Sequence, residues 1–313
     1  MGLDKRLLLI VNAARGEKTL TEFAKIDALM REHELPYDLY FTSREEPATK
    51  LAKIGVEMGY ETIVAVGGDG TLNEVVNGIM DPDHTSDIVL GGIPFGSGND
   101  FLRMLEITSY EDAVSALASY YYGCTAPKPI DLGCVTFSDY KGIVVTRYYI
   151  NMMSTGLSSM VLKNLNRKIM GINGMIAYLL STLITVPSAE LDQMRIEVDG
   201  TLFHEGRVWE FQANNGMFAG GSMKVTPDAT PDDGELNMMV AYEMSKWNVF
   251  GFLKDVYSGN HVGHPNIDFM NAQRITICSR SELNLDGELV GYAPAEIKVI
   301  PEALIVVVKN ENL

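Results

Sequence analysis

Two stretches set bare backbone where phosphate chemistry could use it. "AVGGDGTLNEVVNG" (65–78) packs glycines around Asp69 at the end of a β-branched run, and "IPFGSGNDF" (93–101) repeats the theme. A strand that ends in Gly67, Gly68, Asp69 and Gly70 before a helix beginning at Thr71 sets unhindered N–H groups beside a helix N-terminus. Exposed donors and the helix dipole both favour an anion there. For that stretch alone, a tight turn needing left-handed glycines explains the residues equally well. A third strand end, "VNAARG" (11–16), changes the balance. Open parallel sheets bind ligands at the carboxyl ends of their strands, so three such ends on one rim favour a phosphate ligand. Thr71, Asn73, Ser97 and Asn99 would add side-chain hydrogen bonds, and Arg15 or Lys18 a cation.

Two familiar phosphate loops do not fit. The dinucleotide fingerprint needs a third small residue where Asn73 stands, and "GGIPFG" (91–96) continues with Ser97 and Gly98 where a P-loop needs Lys and Ser or Thr. The protein-kinase signatures are also missing. Two acidic stretches, "TPDATPDDGEL" (226–236) and "NLDGELVG" (284–291), read in isolation as a polar turn and a hairpin. His261 and His264 in "NHVGHPN" (260–266), flanked by Gly and Pro, read as a surface loop without a role.

The elements that must carry these residues change rhythm along the chain. From 5 to about 127, apolar strands at 6–12, 37–42, 62–66 and 87–93 alternate with helical segments near 19–33, 47–59, 71–80 and 109–122. Strands apolar throughout are buried on both faces, which implies a doubly wound parallel sheet. After "TAPKPIDLG" (125–133) strands follow one another, and Asp199-Gly200 marks a hairpin, so residues 128–300 form an antiparallel β-sandwich with helices between 158 and 187 and near 245–257. A last run at 303–309 could complete either half.

The chain has 313 residues, 46% of them apolar, which is enough for two cored domains. A net charge of −16 argues against nucleic acid as a partner, because phosphate backbones are held by clustered Lys and Arg. Three cysteines without paired spacing suit a reducing, cytoplasmic setting. The start of the chain reads neither as a signal peptide nor as a myristoylation site, and the apolar run at 175–186 is too short to span a bilayer. The run 162–186 mixes Lys163, Arg167 and Lys168 with that apolar tail, so it fits an interfacial helix or a core helix equally well.

"GGDGTLNEVVNG", "PFGSGNDF", "AGGSMKVTPDATPDDGEL" and "NLDGELVG", in that order, resemble the diacylglycerol kinase catalytic family, most of all its bacterial soluble lipid kinases of diacylglycerol or phosphatidylglycerol type. The GGDGT core alone is shared with NAD kinases and phosphofructokinases; the four blocks together are specific and run over nearly the whole chain. The resemblance implies a nucleotide-binding α/β domain over 1–127, to which 301–313 returns, a β-sandwich substrate domain over 128–300, and an active site in the cleft between them. It implies that ATP meets Asn12, Thr42, the stretch Gly67, Gly68, Asp69, Gly70, Thr71, Leu72, Asn73 and Glu74, and Ser97 with Asn99. Magnesium would take the carboxylate of Asp233 with the carbonyls of Thr230 and Glu235, and the general base would be Glu288, with Asp286 beside it. Such a base needs burial that lifts its pKa towards neutrality. Asp69, inside the loop, is better placed to hold metal or water than to act as base.

Two departures from the family pattern are Asn12-Ala13 in place of Asn-Pro, and Ser97 in place of Thr, which keeps the hydroxyl. The function that follows is transfer of the ATP γ-phosphate to a lipid hydroxyl, that of diacylglycerol to give phosphatidic acid, by a protein associated peripherally with the inner face of a membrane and able to pair as a homodimer. A kinase of a soluble nicotinamide nucleotide or sugar phosphate, and a nucleotide-responsive binding protein without catalysis, are the rival readings.

Overall fold

The computed structural model describes residues 6–14, 16–80, 88–96, 98–168 and 174–309, with the side chains of 166–168, 174 and 175 left aside. The chain divides into two compact units, Met1–Ile130 with Glu302–Leu313, and Asp131–Pro301.

The first unit alternates strands and helices: β1 (Leu7–Val11), α1 (Glu17–Glu32), β2 (Tyr37–Phe41), α2 (Ala48–Glu57), β3 (Thr62–Gly67), α3 (Asp69–Ile79), β4 (Val89–Pro94), α4 (Asp100–Met104) and α5 (Tyr110–Tyr121). Every residue of β1, β3 and β4 is buried, as a parallel strand covered on both faces requires. The strands pair in parallel in the order β4-β3-β1-β2, with Val11 opposite both Val66 and Phe41, and Gly67 opposite Pro94. Sequence order therefore reverses between β1 and β3. In an open α/β sheet that reversal leaves a crevice at the strands' carboxyl ends, where ligands bind. The loops after β1, β3 and β4 are the three glycine-bearing segments.

The second unit contains β5 (Lys128–Asp139), which enters it from the first, then β6 (Val144–Tyr149), β7 (Met152–Gly156), α6 (Leu157–Lys168), α7 (Gly174–Thr185), β8 (Asp192–Val198) and β9 (Thr201–Asn214). The short pair β10 (Phe218–Ala219) and β11 (Met223–Lys224) follows, and then β12 (Leu236–Tyr242), α8 (Lys246–Ser258), β13 (Ile267–Ala272), β14 (Arg274–Cys278), β15 (Glu282–Leu285) and β16 (Glu288–Val306). Neighbours along β13-β12-β9-β7-β15-β16 pair antiparallel, while β8 bridges β9 and β14, and β5 joins β6 to β16. The last residues of β16 belong to the first unit, where Ile305 pairs in parallel with Val89 of β4.

The hairpin turns follow from the sequence. Asp199 and Gly200 both take positive φ, as do Asp286 and Gly287, the backbone that an Asp-Gly hairpin demands. Opposite β12 the register of β9 shifts, so that Ala241 faces Glu210 and Tyr242 faces Val208, with Trp209 as the extra residue. Such a bulge re-aims side chains. His261 is not on a surface loop: it is 1% exposed, its Nε2 bonded to the carbonyl of Val225 and its ring against Phe252 and Phe269.

Candidate active site

The loops after β3 and β4 touch backbone to backbone. A Cβ on Gly96 would lie 2.5 Å from the Cα of Gly68, and one on Gly68 would lie 3.2 Å from the Cα of Gly96. The amide of Phe95 donates to the carbonyl of Gly67 at 2.8 Å, and that of Phe101 to Asp69 Oδ1 at 3.3 Å. Gly68 has φ −96°, so its glycine serves close approach rather than a left-handed turn. Gly70 is exposed, and a Cβ there would meet nothing within 4 Å. No side chain caps the N-terminus of α3, which leaves its first turn open to an anion.

The loop after β1 joins the same edge through side chains. Asn12 donates from Nδ2 to Thr71 Oγ1 at 2.7 Å and accepts the amide of Ala14 at 2.9 Å, while Thr42 Oγ1 accepts the amide of Ala13 at 3.1 Å. Asn12 thus keeps a structural task although Ala13 replaces the usual proline. Asn99 holds a left-handed φ of 55° and clamps Gly96, its Oδ1 accepting the Gly96 amide and its Nδ2 donating to the Gly96 carbonyl.

Several residues expected to touch the nucleotide turn inward instead. Leu72 and Asn73 are buried, and the Asn73 side chain accepts from Asn77. Glu74 accepts the amide of Ala48 at 2.9 Å at the start of α2, so its carboxylate caps a helix. Only their backbone is left for a ligand. Ser97 and Arg15 lie outside the described residues, and Lys18 stands exposed on α1.

In the second unit, the turn 230–235 is folded around Asp233, whose Oδ2 accepts Thr230 Oγ1 at 2.9 Å and whose Oδ1 accepts the Glu235 amide at 3.0 Å. The side chain of Glu235 turns away to accept from Asn271. The turn is pinned by a residue that carried no expectation, Asp131. It is 1% exposed; its Oδ2 accepts the Gly234 amide at 2.7 Å and its amide donates to the Pro231 carbonyl at 2.6 Å. Among the described residues there is no cluster of three or more His, Cys, Asp or Glu that could hold a metal. A carboxylate with two carbonyls is nevertheless a hard-oxygen set of the kind Mg²⁺ accepts, since that ion keeps several waters.

The two acids of "LDGE" part company. Asp286 is 5% exposed and accepts three backbone amides, Ile150 at 2.9 Å, Asn151 at 3.1 Å and Met152 at 2.7 Å. It is the anchor of the β6–β7 connection and not a free base. Glu288 is not buried, contrary to expectation: its side chain is 54% exposed and ion-paired with Arg147 at 2.8 Å. Its carboxylate faces solvent, so the covering that a tuned base needs has to come from bound substrate.

A cavity of about 80 Å³ opens in the second unit. Its walls come from α6 and α7 (Val161, Tyr178), from β12 (Met239) and from α8 (Val249, Phe252). One carboxyl interrupts this apolar lining. The bulge at Trp209 lets Glu210 line the cavity too, where its Oε2 accepts the Ser158 amide at 2.8 Å and its Oε1 accepts from Gln212 at 3.1 Å. Burial pushes its pKa up to about 7, against the pull of the hydrogen bonds from Ser158, Gln212 and Leu157. From Ser158 a buried line of hydrogen bonds runs through Ser154 and Asn284 to the amide of Gly287, beside Glu288.

A parallel sheet whose glycine loops meet at its switch point is thus followed by an antiparallel unit bearing an acid and an apolar cavity. Residues 6–135 match the model of the diacylglycerol kinase catalytic domain, and 151–308 that of the YegS C-terminal NAD kinase beta sandwich-like domain. A diacylglycerol kinase of Bacillus subtilis is 30% identical over 98% of both chains, and one of Staphylococcus aureus 32% identical over 94% of this chain and 89% of that protein. The chain belongs to the diacylglycerol kinase family, and it is an ATP-dependent kinase. Its fold is also that of a Bacillus anthracis diacylglycerol kinase, with a TM-score of 0.72 and 20% identity, covering 98% of this chain and 97% of that one. An Archaeoglobus fulgidus NAD kinase crystallised with ATP is more distant, with a TM-score of 0.52 and 14% identity, covering 98% and 94%.

Proposed function

We propose that the protein transfers the γ-phosphoryl group of ATP to the free hydroxyl of diacylglycerol, giving phosphatidic acid and ADP. The observation that carries this reading is the cavity of the second unit. Its lining is nearly all apolar and its one charged group is Glu210, so it suits an acyl chain and offers no cation to the phosphate of a soluble substrate.

The phosphates would lie on the open turn of α3 and the bare backbone at Gly68 and Gly70, with Asn12 and Thr71 fixing the edge and Asp69 tying the two glycine loops together. Mg²⁺ would be held at Asp233 with the carbonyls of Thr230 and Glu235, and when bound it neutralises phosphate charge. Asp131 positions that turn through Gly234. As the acceptor oxygen bonds to the γ-phosphorus and the bond to ADP breaks, the hydroxyl proton passes to the Glu288 carboxylate, which Arg147 orients. Asp286, through its three amides, shapes the turn that presents Glu288.

Purified protein with labelled ATP and mixed micelles of diacylglycerol should yield phosphate that extracts into organic solvent. Label remaining in the aqueous phase on a soluble acceptor would favour a soluble substrate, and ATP binding without transfer to any acceptor would leave a binding protein. Glu288→Gln should lower turnover by about 10²–10⁴ while nucleotide affinity stays near that of the parent.

A further inference from the structure

Glu210 is the carboxyl that lines the cavity, yet proton transfer to Glu288 leaves it without a part. Two lines of hydrogen bonds start from it. The first leaves Oε2, which accepts the Ser158 amide at 2.8 Å; the Ser158 hydroxyl donates to Ser154 Oγ at 2.9 Å. Asn284 Nδ2 donates to the same Ser154 oxygen at 2.9 Å, and Asn284 Oδ1 accepts the Gly287 amide at 3.0 Å. The second leaves Oε1, which accepts Gln212 Nε2 at 3.1 Å; Gln212 Oε1 accepts from Asn214 at 3.0 Å. Asn214 also donates to Thr226 Oγ1 at 3.1 Å, and that hydroxyl donates to the Gly216 carbonyl at 2.9 Å.

The side chains of Ser158, Ser154, Asn284, Gln212, Asn214 and Thr226 are all buried, so bulk water cannot stand in for a lost link. The lines end where the proposed chemistry lies. Gly287 precedes Glu288, and Thr226 opens the segment whose turn is folded around Asp233. One carboxyl therefore joins the cavity, the base and the metal turn.

Both hydrogen bonds of Glu210 are ones it accepts, so what fills the cavity sets how firmly Ser158 and Gln212 are held. Water beside the carboxyl competes with those donors and screens them. An acyl chain does neither, and hydrogen bonds strengthen as the local dielectric falls. A chain in the cavity thus favours the tightened arrangement over the loose one, and such a difference is what coupling between two sites requires.

We propose that Glu210 is a positioning residue that couples an acyl chain in the cavity to the turns at Glu288 and Asp233, so that a lipid able to fill the cavity is phosphorylated faster as well as bound more tightly. The proposal rests on the lipid-kinase reading and deepens it, because chain length becomes a determinant of kcat.

Kinetics in mixed micelles, with dioctanoylglycerol and dioleoylglycerol each at saturation, test it. Wild-type kcat should be roughly tenfold higher on the long-chain lipid, a usual size for coupled sites. Ser154→Ala cuts the first line at a residue that does not line the cavity, so the two kcat values should converge while the long-chain lipid keeps its lower KM. Glu210→Gln cuts the second line at the cavity end and should narrow the same ratio. A purely structural role would lower kcat on both lipids alike. A ratio that survives in both variants, or equal kcat values in wild type, overturns the proposal. Hydrogen exchange reads the coupling without turnover: a dioleoyl lipid lacking the acceptor hydroxyl should slow exchange of the Gly287 amide in wild type and not in Ser154→Ala. Slowing in both, or in neither, overturns the proposal. Slowing in wild type alone, with no lipid phosphorylated, would sink the lipid-kinase reading and leave the coupling standing.

Discussion

Glu210 should make the second unit lose stability as pH rises, and Glu210→Gln should abolish that loss. The folded carboxyl titrates near 7, against 4.5 for an ordinary glutamate, because burial penalises the ionised form. The folded state therefore binds the proton more tightly than the unfolded one. Its stabilising contribution is complete below 4.5 and is lost as pH climbs through 7. The interval corresponds to about 3 kcal/mol, an order-of-magnitude figure, since one pKa unit is about 1.4 kcal/mol. Glutamine keeps the volume and an acceptor for the Ser158 amide, but its own amide group then faces the Gln212 amide, whose oxygen is already taken by Asn214. That mismatch costs about 1 kcal/mol at every pH, so the informative quantity is the slope and not the offset. Urea unfolding of both proteins from pH 4.5 to about pH 8, followed through the second unit, should show the wild type losing about 3 kcal/mol relative to the variant. In thermal scans, at roughly 2–4 °C per kcal/mol, the two midpoints should converge or cross by about 10 °C. Curves that stay parallel across that range would show that Glu210 does not titrate there and that its burial has been misjudged.

Gly96→Ala places a methyl 2.5 Å from the Cα of Gly68, so the two phosphate loops must part; ATP affinity measured by calorimetry should fall tenfold or more, while the unfolding midpoint shifts far less than for a core cavity. Asp286→Asn exchanges an acceptor of three amides for a group with one oxygen, and at 5% exposure it should cost about 3 kcal/mol in denaturant unfolding and lower kcat with little change in the KM for ATP. Asp233→Asn should remove the rise in unfolding midpoint that Mg²⁺ gives the parent; a midpoint that still responds equally to the ion would move the metal site elsewhere.

The first unit was legible because its signals are local. Unbroken apolar runs such as Leu7–Val11 can only be doubly covered strands, and the turn-bearing glycines fall at their ends. The role of the glycines was not: Gly68 and Gly96 are small because of each other, across 28 positions that no pattern connects. Long-range pairing also hid the tasks of Glu74 and Asp131. Asp131 left one trace, an acid inside the otherwise apolar "PIDLGCV" of an incoming strand, which only a satisfied buried contact explains.

The second unit departs from simple strand alternation for a related reason. In "RVWEFQANN" the alternation of Trp209 and Phe211 with Glu210 and Gln212 reads as apolar residues turned in and polar residues turned out. Both sets are buried, because helices α6 and α8 cover the side that alternation assigns to water, and the extra residue at Trp209 breaks the period where the cavity forms. Helix α7 inverts the same rule, with serines and threonines inside and leucines outside. The two violations share one helix hairpin, since Glu210 binds the first turn of α6 and α6 packs on the polar side of α7. Alternation along one element reports only its own two faces and not what neighbouring helices cover, which is why neither departure can be read before α6, α7 and α8 are packed.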